Sequence, residues 1–272
     1  MSAGKPDNRL RTAMAAARDS GRKFLVVYLT EGDPSPAETG DIIKAAADAG
    51  ADVIELGVPF SDPNADGVVI QEAMQRALQA GGGLGTSLDT VAGLRKDGHD
   101  VPIVLFGYYN PLFVYGTEKL AARVAEVGVD ALLTVDLPID ELGELHGPLS
   151  AHGVDVIPLI APTSGEERIA RARPFDPPFI YYISMTGITG AAFQGASGGA
   201  ERVARIRELT GAPVAVGFGI KTADDAHQVA QYSDGVVVGS AVVKRIAGAA
   251  SGKAASAVGE FVAELRKGLD RG

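Results

Sequence analysis

Cysteine is absent from this 272-residue chain, which removes disulfides, thiolate metal sites and cysteine nucleophiles. No run of lysine or arginine occurs either, and the formal net charge is −9. Nucleic acid and anionic membrane both demand a dense basic face, so neither is expected as a main partner. No apolar run approaches the roughly 20 residues that a membrane helix requires. The start, MSAGKPDNRLRTAMAAARDSGRKF, lacks the apolar stretch of a secretory signal, so a cytoplasmic location is expected. Acidity does not exclude a small anionic substrate, because backbone N–H groups can hold phosphate without side-chain charge.

What is present is one unit, repeated. A short, nearly continuous apolar run leads into a Gly/Pro/Asp turn and then an amphipathic, Ala-rich segment. The apolar runs begin at Phe24, Val53, Pro102, Ala131, Asp155, Phe179, Pro213 and Gly235. Their unbroken apolar character suits strands covered on both faces. Between them, segments such as AETGDIIKAAADAG, EKLAARVAEVG, EERIARARP, AERVARIREL and ADDAHQVAQY place apolar residues three or four apart, as helices do. Strands are entered through Gly50-Ala51-Asp52, Gly128-Val129-Asp130 and Gly153-Val154-Asp155, where a glycine takes the left-handed cap of the preceding helix.

Eight strands alternating with helices predict a parallel sheet, and the absence of a linker predicts one domain over residues 1–272. The fold class expected is α/β, a single (β/α)8 barrel of the TIM type. An open doubly wound sheet is the competitor, but no G-x-G-x-x-G follows the first run. The Ala/Gly/Ser-rich stretch from Ala247 to Ala257 is expected to be loose, with VGEFVAELRKGL as a closing helix.

In such barrels the active site forms at the C-terminal ends of the strands. Side chains alternate along a strand, so Ile54, Leu56 and Val58 form a helix-facing set and Val53, Glu55 and Gly57 point inside. A carboxylate inside a barrel is desolvated, which raises its pKa toward the range useful for proton transfer. A structural Glu55 bound to polar groups of a neighbouring strand is the alternative. The following loop carries Asp62 and Asp66 over the mouth. Asp62, before proline, suits turn chemistry, and Asp66 stays open between a turn and a catalytic role. Glycine-bearing segments on three late strands (Gly187 to Gly190, Gly217 to Ile220, Gly239-Ser240) point to phosphate binding.

Other chemistries lack residues. Only Lys221 and Lys244 lie beyond strand ends, so a desolvated Schiff-base lysine is not expected. The four histidines (His99, His146, His152, His227) fall in helices or strand-entering turns, the wrong face for a metal. Carboxylate acid–base chemistry remains, with no metal and no cofactor.

Motifs in order carry a family likeness: Leu29 to Pro34 (LTEGDP), Ile54 to Pro63 (IELGVPFSDP), Ala65-Asp66-Gly67, Gly107 to Pro111 (GYYNP), Asp136-Leu137-Pro138, Ala161-Pro162-Thr163, Gly187 to Gly190 (GITG) and Val216 to Ile220 (VGFGI). With them the chain resembles the tryptophan synthase α family from about Arg9 to Ile246. The resemblance implies retro-aldol cleavage of indole-3-glycerol phosphate to indole and glyceraldehyde 3-phosphate. It implies Glu55 as general acid–base and Asp66 as the carboxylate that engages the indole N–H. It implies that Tyr181 and Thr189 line the site, and that Phe218, Tyr108, Phe106 and Leu133 surround the indole. Gly190, Gly219, Gly239 and Ser240 match the phosphate cradle. Tyr28 stands where the family often has phenylalanine.

The implied partner is a β subunit that receives indole within an α2β2 heterotetramer. Departures touch the loops that communicate with it: Asn64 and Val68 are unusual, and 191–199 lacks the common Leu-Pro element. Two alternatives therefore stay open, a free-standing lyase that releases indole and a catalytically silent regulatory barrel. An isomerase or epimerase on the same fold is the more distant competitor.

Overall fold

The computed structural model describes residues 8–184, 196–217 and 219–271. Its strands are β1 (Phe24–Thr30), β2 (Val53–Gly57), β3 (Ile103–Gly107), β4 (Ala131–Thr134), β5 (Asp155–Val156), β6 (Leu159–Ile160), β7 (Ile180–Ile183), β8 (Val214–Gly217) and β9 (Gly235–Val238). All pairings are parallel, in the order β5-β4-β3-β2-β1-β9-β8-β7-β6. The two ends of that order, β5 and β6, are consecutive pieces of one stretch, so the sheet closes on itself as a TIM barrel. The break falls at Pro158, which has no N–H to give to the ladder. Ile157 N–H still reaches Leu132 O at 2.9 Å, and Pro158 O accepts from Tyr181 N–H at 3.0 Å.

Alternation along the strands builds two cores. Leu25, Val27, Leu29, Ile54, Leu56, Ile103, Leu105 and Leu132 face the surrounding helices. Phe24, Val26, Tyr28, Val53, Val104, Phe106, Ala131 and Leu133 fill the barrel. The inside–outside assignment predicted for β2 is the one observed. The strand-entering glycines also adopt the expected positive φ, at 109° for Gly50, 87° for Gly128 and 75° for Gly153.

Three features differ from expectation. The eighth apolar run is strand only to Val238; Ser240 already begins a helix that runs to Gly248. The stretch expected to be loose shrinks to a turn, because the closing helix starts at Ala254, itself buried at 2 % exposure. A helix at Arg9–Asp19 closes the barrel base, burying Leu10, Met14 and Ala17 beside Phe24 and Phe179. It is pinned there by Asn8, whose Nδ2 donates to Asp130 O, Gly153 O and Asp155 Oδ2.

Candidate active site

The mouth is organised around Glu55, in the middle of β2 and 1 % exposed. The ladder flanks it with Tyr28 on β1 and Val104 on β3. Among the described residues no hydrogen-bond donor meets its Oε1. Burial alone pushes the carboxyl from an ordinary 4.5 up to about 8. A group so placed is neutral at pH 7 yet close enough to titration to give and take a proton.

Two tyrosines rise beside it, each over a glycine of the next strand. A Cβ added to Gly57 would lie 2.3 Å from Tyr28 Oη, and one added to Gly217 would lie 2.4 Å from Tyr181 Oη. Side chains larger than hydrogen are therefore shut out at both positions. The Tyr28 hydroxyl is 3.2 Å from Thr30 Oγ1, and its ring meets Phe106 edge-on at 5.1 Å. Burial first, then the negative charge of Asp66 and Glu55, raise the pKa of Tyr28; the same groups, Glu55 ahead of Asp66, raise that of Tyr181. Both hydroxyls stay protonated.

Asp66 comes from the loop between β2 and the helix Val68–Gln79. Tyr108, just past β3, donates from its hydroxyl to Asp66 Oδ2 at 2.8 Å. The Tyr108 hydroxyl in turn accepts the Ala65 N–H at 3.0 Å, and the Tyr108 ring lies 5.0 Å from that of Phe60. From the helix side, Gln71 Nε2 donates to Asp66 O at 2.8 Å. Burial raises the Asp66 carboxyl, and the Tyr108 hydrogen bond opposes that rise without cancelling it. Asp62, by contrast, is exposed; its carboxylate accepts the hydroxyl of neighbouring Ser61 and its carbonyl the Asn64 N–H, which is turn chemistry.

Phe106 and Leu133 stand side by side in the β3–β4 ladder, buried on the inner wall. Across the barrel, Gly219 follows β8 at φ 78°, a conformation that favours glycine. Gly239 caps the helix Ser240–Gly248, whose first N–H groups lack partners within the helix and whose positive dipole end therefore lies at Gly239. Thr189, Gly190 and Phe218 lie outside the described residues, as does the 191–195 part of the departure at 191–199; residues 196–199 begin the helix Ala196–Thr210. The structure thus brings Glu55, Asp66, Tyr108, Phe106, Leu133 and Tyr181 to one end of the barrel, with Gly219, Gly239 and Ser240 on its β8–β9 side.

Sequence reasoning missed two things here. Thr30 sits two residues beyond Tyr28, so strand parity already aims it inward. The bond from Tyr108 to Asp66 was not foreseen, although Val104, Phe106 and Tyr108 share one parity and hence one face.

The geometry agrees with what the chain is similar to. The family described as tryptophan synthase alpha chain matches residues 14–269. A tryptophan synthase alpha chain from Thioalkalivibrio sulfidiphilus is 47 % identical over 265 residues, 97 % of this chain and 100 % of the relative. One from Geobacter sulfurreducens is 45 % identical over 262 residues, covering 96 % and 99 %. Among solved structures, tryptophan synthase subunit alpha from Legionella pneumophila superposes with a TM-score of 0.90 at 35 % identity, covering 97 % and 99 %. A chain of Mycobacterium tuberculosis tryptophan synthase gives 0.87 at 33 % identity, covering 98 % and 100 %. The chain belongs to the tryptophan synthase alpha chain family, and is a lyase of tryptophan biosynthesis that cleaves indole-3-glycerol phosphate.

Proposed function

We propose that Glu55 and Asp66 divide the retro-aldol cleavage between them, within one domain spanning residues 1–272. Glu55 delivers a proton to C3 of the indole and accepts the proton of the C3′ hydroxyl. The C3–C3′ bond breaks, the hydroxyl oxygen becomes the carbonyl of glyceraldehyde 3-phosphate, and indole leaves with its ring restored. Protons balance, so Glu55 ends as it began. Asp66 stays anionic and takes the indole N–H as positive charge builds in the ring. Phe106, Leu133, Tyr108, Tyr181 and Phe218 enclose the ring, and Thr189 steadies the loop. Gly190, Gly219, Gly239 and Ser240 hold the phosphate, helped by a helix N-terminus.

The observation that carries this reading is the contrast within the pair. Glu55 is buried without a donor on Oε1 and is raised to about 8, whereas a tyrosine hydroxyl holds Asp66 at 2.8 Å. Burial raises both carboxyls, but of the two it is Asp66 that has a hydrogen-bond donor opposing the rise, an asymmetry that suits one acid–base and one fixed anion.

The reading extends to a β subunit that receives the indole in an α2β2 complex in the cytoplasm. Val68, Phe113 and Val114 are large apolar side chains exposed at 67 %, 63 % and 76 %. They lie on the helices that directly follow β2 and β3 at the mouth, where a partner would seal the site. Among the described residues no helix is long and apolar enough to cross a membrane.

The test is indole release from indole-3-glycerol phosphate, with and without an added tryptophan synthase β subunit. Slow release that rises sharply with β supports the α-subunit reading. Fast release indifferent to β identifies a free-standing lyase, and no release under either condition leaves a silent regulatory barrel.

A further inference from the structure

Asp66 stands on ten residues of loop, Val58 to Gly67, that contribute no strand or helix. A carboxylate on such a segment has no rigid element of its own to aim it. Catalytic groups must be held within a fraction of an ångström by neighbours that are themselves locked. The contacts that could do this for Asp66 are few. Gln71 holds the backbone carbonyl of Asp66, and the turn hydrogen bond from Asp66 N–H to Pro63 O shapes the chain around it. Of the hydrogen bonds described, only that from Tyr108 reaches the carboxylate itself.

Tyr108 is well suited to be the fixed end of this contact. It is 4 % exposed, lies one residue past β3 and caps the helix Tyr109–Tyr115. The following residue is anchored as well, since Tyr109 N–H donates to Asp136 Oδ1 at 2.8 Å, just beyond β4. The hydroxyl works in both directions, accepting from Ala65 N–H at 3.0 Å and donating to Asp66 at 2.8 Å. A donor polarised in this way is strengthened toward its acceptor. It also favours the ionised carboxylate over the neutral acid, against the burial that pushes Asp66 the other way.

Building on the role proposed for Asp66, we propose that Tyr108 is a positioning residue of the reaction as well as a wall of the indole pocket. Its hydroxyl fixes the Asp66 carboxylate and the Ala65–Asp66 backbone to the end of β3, and keeps Asp66 in the charged form that receives the indole N–H. The ring stacked on Phe60 sets where that hydroxyl lies.

The experiment is a double-mutant cycle on indole release, run with the β subunit present. The variants are Tyr108→Phe, Asp66→Asn and the two combined. Tyr108→Phe keeps the ring against Phe60, so its melting temperature is expected to stay near that of the unaltered chain. Its kcat is expected to fall about tenfold to a hundredfold, with KM changed by less than about threefold. In the Asp66→Asn background the same change is expected to cost less than about twofold, because the anion it served is gone. Losses that multiply in the double variant would overturn the positioning role while leaving Asp66 intact as a catalytic residue. An Asp66→Asn enzyme within about tenfold of full activity would instead remove the premise, and Tyr108 would revert to a wall. Should Tyr108→Phe prove unstable, ring-fluorinated tyrosine at position 108 offers a stronger donor of nearly the same shape. It is expected to move the acid limb of kcat/KM to lower pH, and an unmoved limb overturns the proposal.

Discussion

Both ends of this barrel bury carboxylates, and they treat them differently. At the base, Asp155 receives Arg11 through Nε at 2.8 Å and Nη2 at 2.7 Å. Asp130 receives Arg95 Nη2 at 3.1 Å, and Asp52 receives Arg22 and Arg266. Two of these entrance aspartates, joined by Asp234 before β9, do the same second task. Asp52 Oδ2 accepts from Leu25 N–H, Asp130 Oδ2 from Ile103 N–H and Asp234 Oδ2 from Val214 N–H, at 2.8–2.9 Å. Each ties the start of one strand to the strand before it. At the mouth, Asp33 is gripped in the same way by Arg76, but Glu55 and Glu31 are buried with no cation against them among the described residues. An aspartate that meets a guanidinium and a ladder N–H holds strands together. A glutamate buried without either becomes a weak acid that can exchange a proton near neutral pH.

The largest effect expected from breaking this contrast is at the mouth. Glu55→Gln keeps the shape and removes the proton-exchanging group, so turnover should fall by about a thousandfold or more. Stability should not fall with it, because no arginine loses a partner and an uncharged amide replaces a carboxyl that resists ionisation. The measurement pairs indole release with denaturant unfolding. Turnover close to that of the unaltered chain would return Glu55 to a structural role.

The base should behave in the opposite sense. Asp130→Ala strips the partner from Arg95, whose pKa burial already lowers, and leaves Ile103 N–H without its acceptor. Removing one member of a buried pair typically costs about 3 kcal/mol or more. The loss should appear in the unfolding free energy, with kcat at a temperature where the chain is folded changed by less than about threefold. A large kcat loss in a fully folded variant would show that the two ends are not independent.

This division was legible in the sequence where it rests on periodicity. Strand alternation placed Glu55 inside, and the Gly-x-Asp signals marked the strand entrances, although not what their aspartates hold. Contacts that join distant segments were not legible. Nothing local shows that Arg9–Asp19 folds under the barrel, since its burial depends on packing against Phe24 and Phe179, which are distant from it or from each other in sequence. Tyr108 was readable as a pocket wall by parity, but its bond to Asp66 depends on the path of a loop 42 residues earlier. The break at Pro158 was visible in principle, because a proline within a strand run argues for an interruption.

Glu31 offers the smallest and sharpest comparison with the base. It follows β1 directly, is fully buried, and among the described residues no donor meets either carboxyl oxygen at full hydrogen-bonding distance, although three threonine hydroxyls lie near. Burial raises it from an ordinary 4.5 to about 7, while the hydroxyls of Thr90, Thr86 and Thr39 pull the other way. Below about pH 4.5 both the folded and the unfolded chain carry the proton, and Glu31 gives no pH dependence. Between about 4.5 and 7 the folded chain keeps a proton that the unfolded chain has released, so stability falls as pH rises. Above that window the penalty is complete, on the order of 3 kcal/mol. Glu31→Gln should therefore match the unaltered chain at pH 4.5 and exceed it in unfolding free energy at pH 8. Glu55, raised to about 8, keeps its own slope in both proteins and so cancels in the difference. Equal stability of the two proteins at pH 8 would mean that Glu31 ionises at little cost. The mouth would then tolerate buried charge without arginine, and the contrast with the base would rest on Glu55 alone.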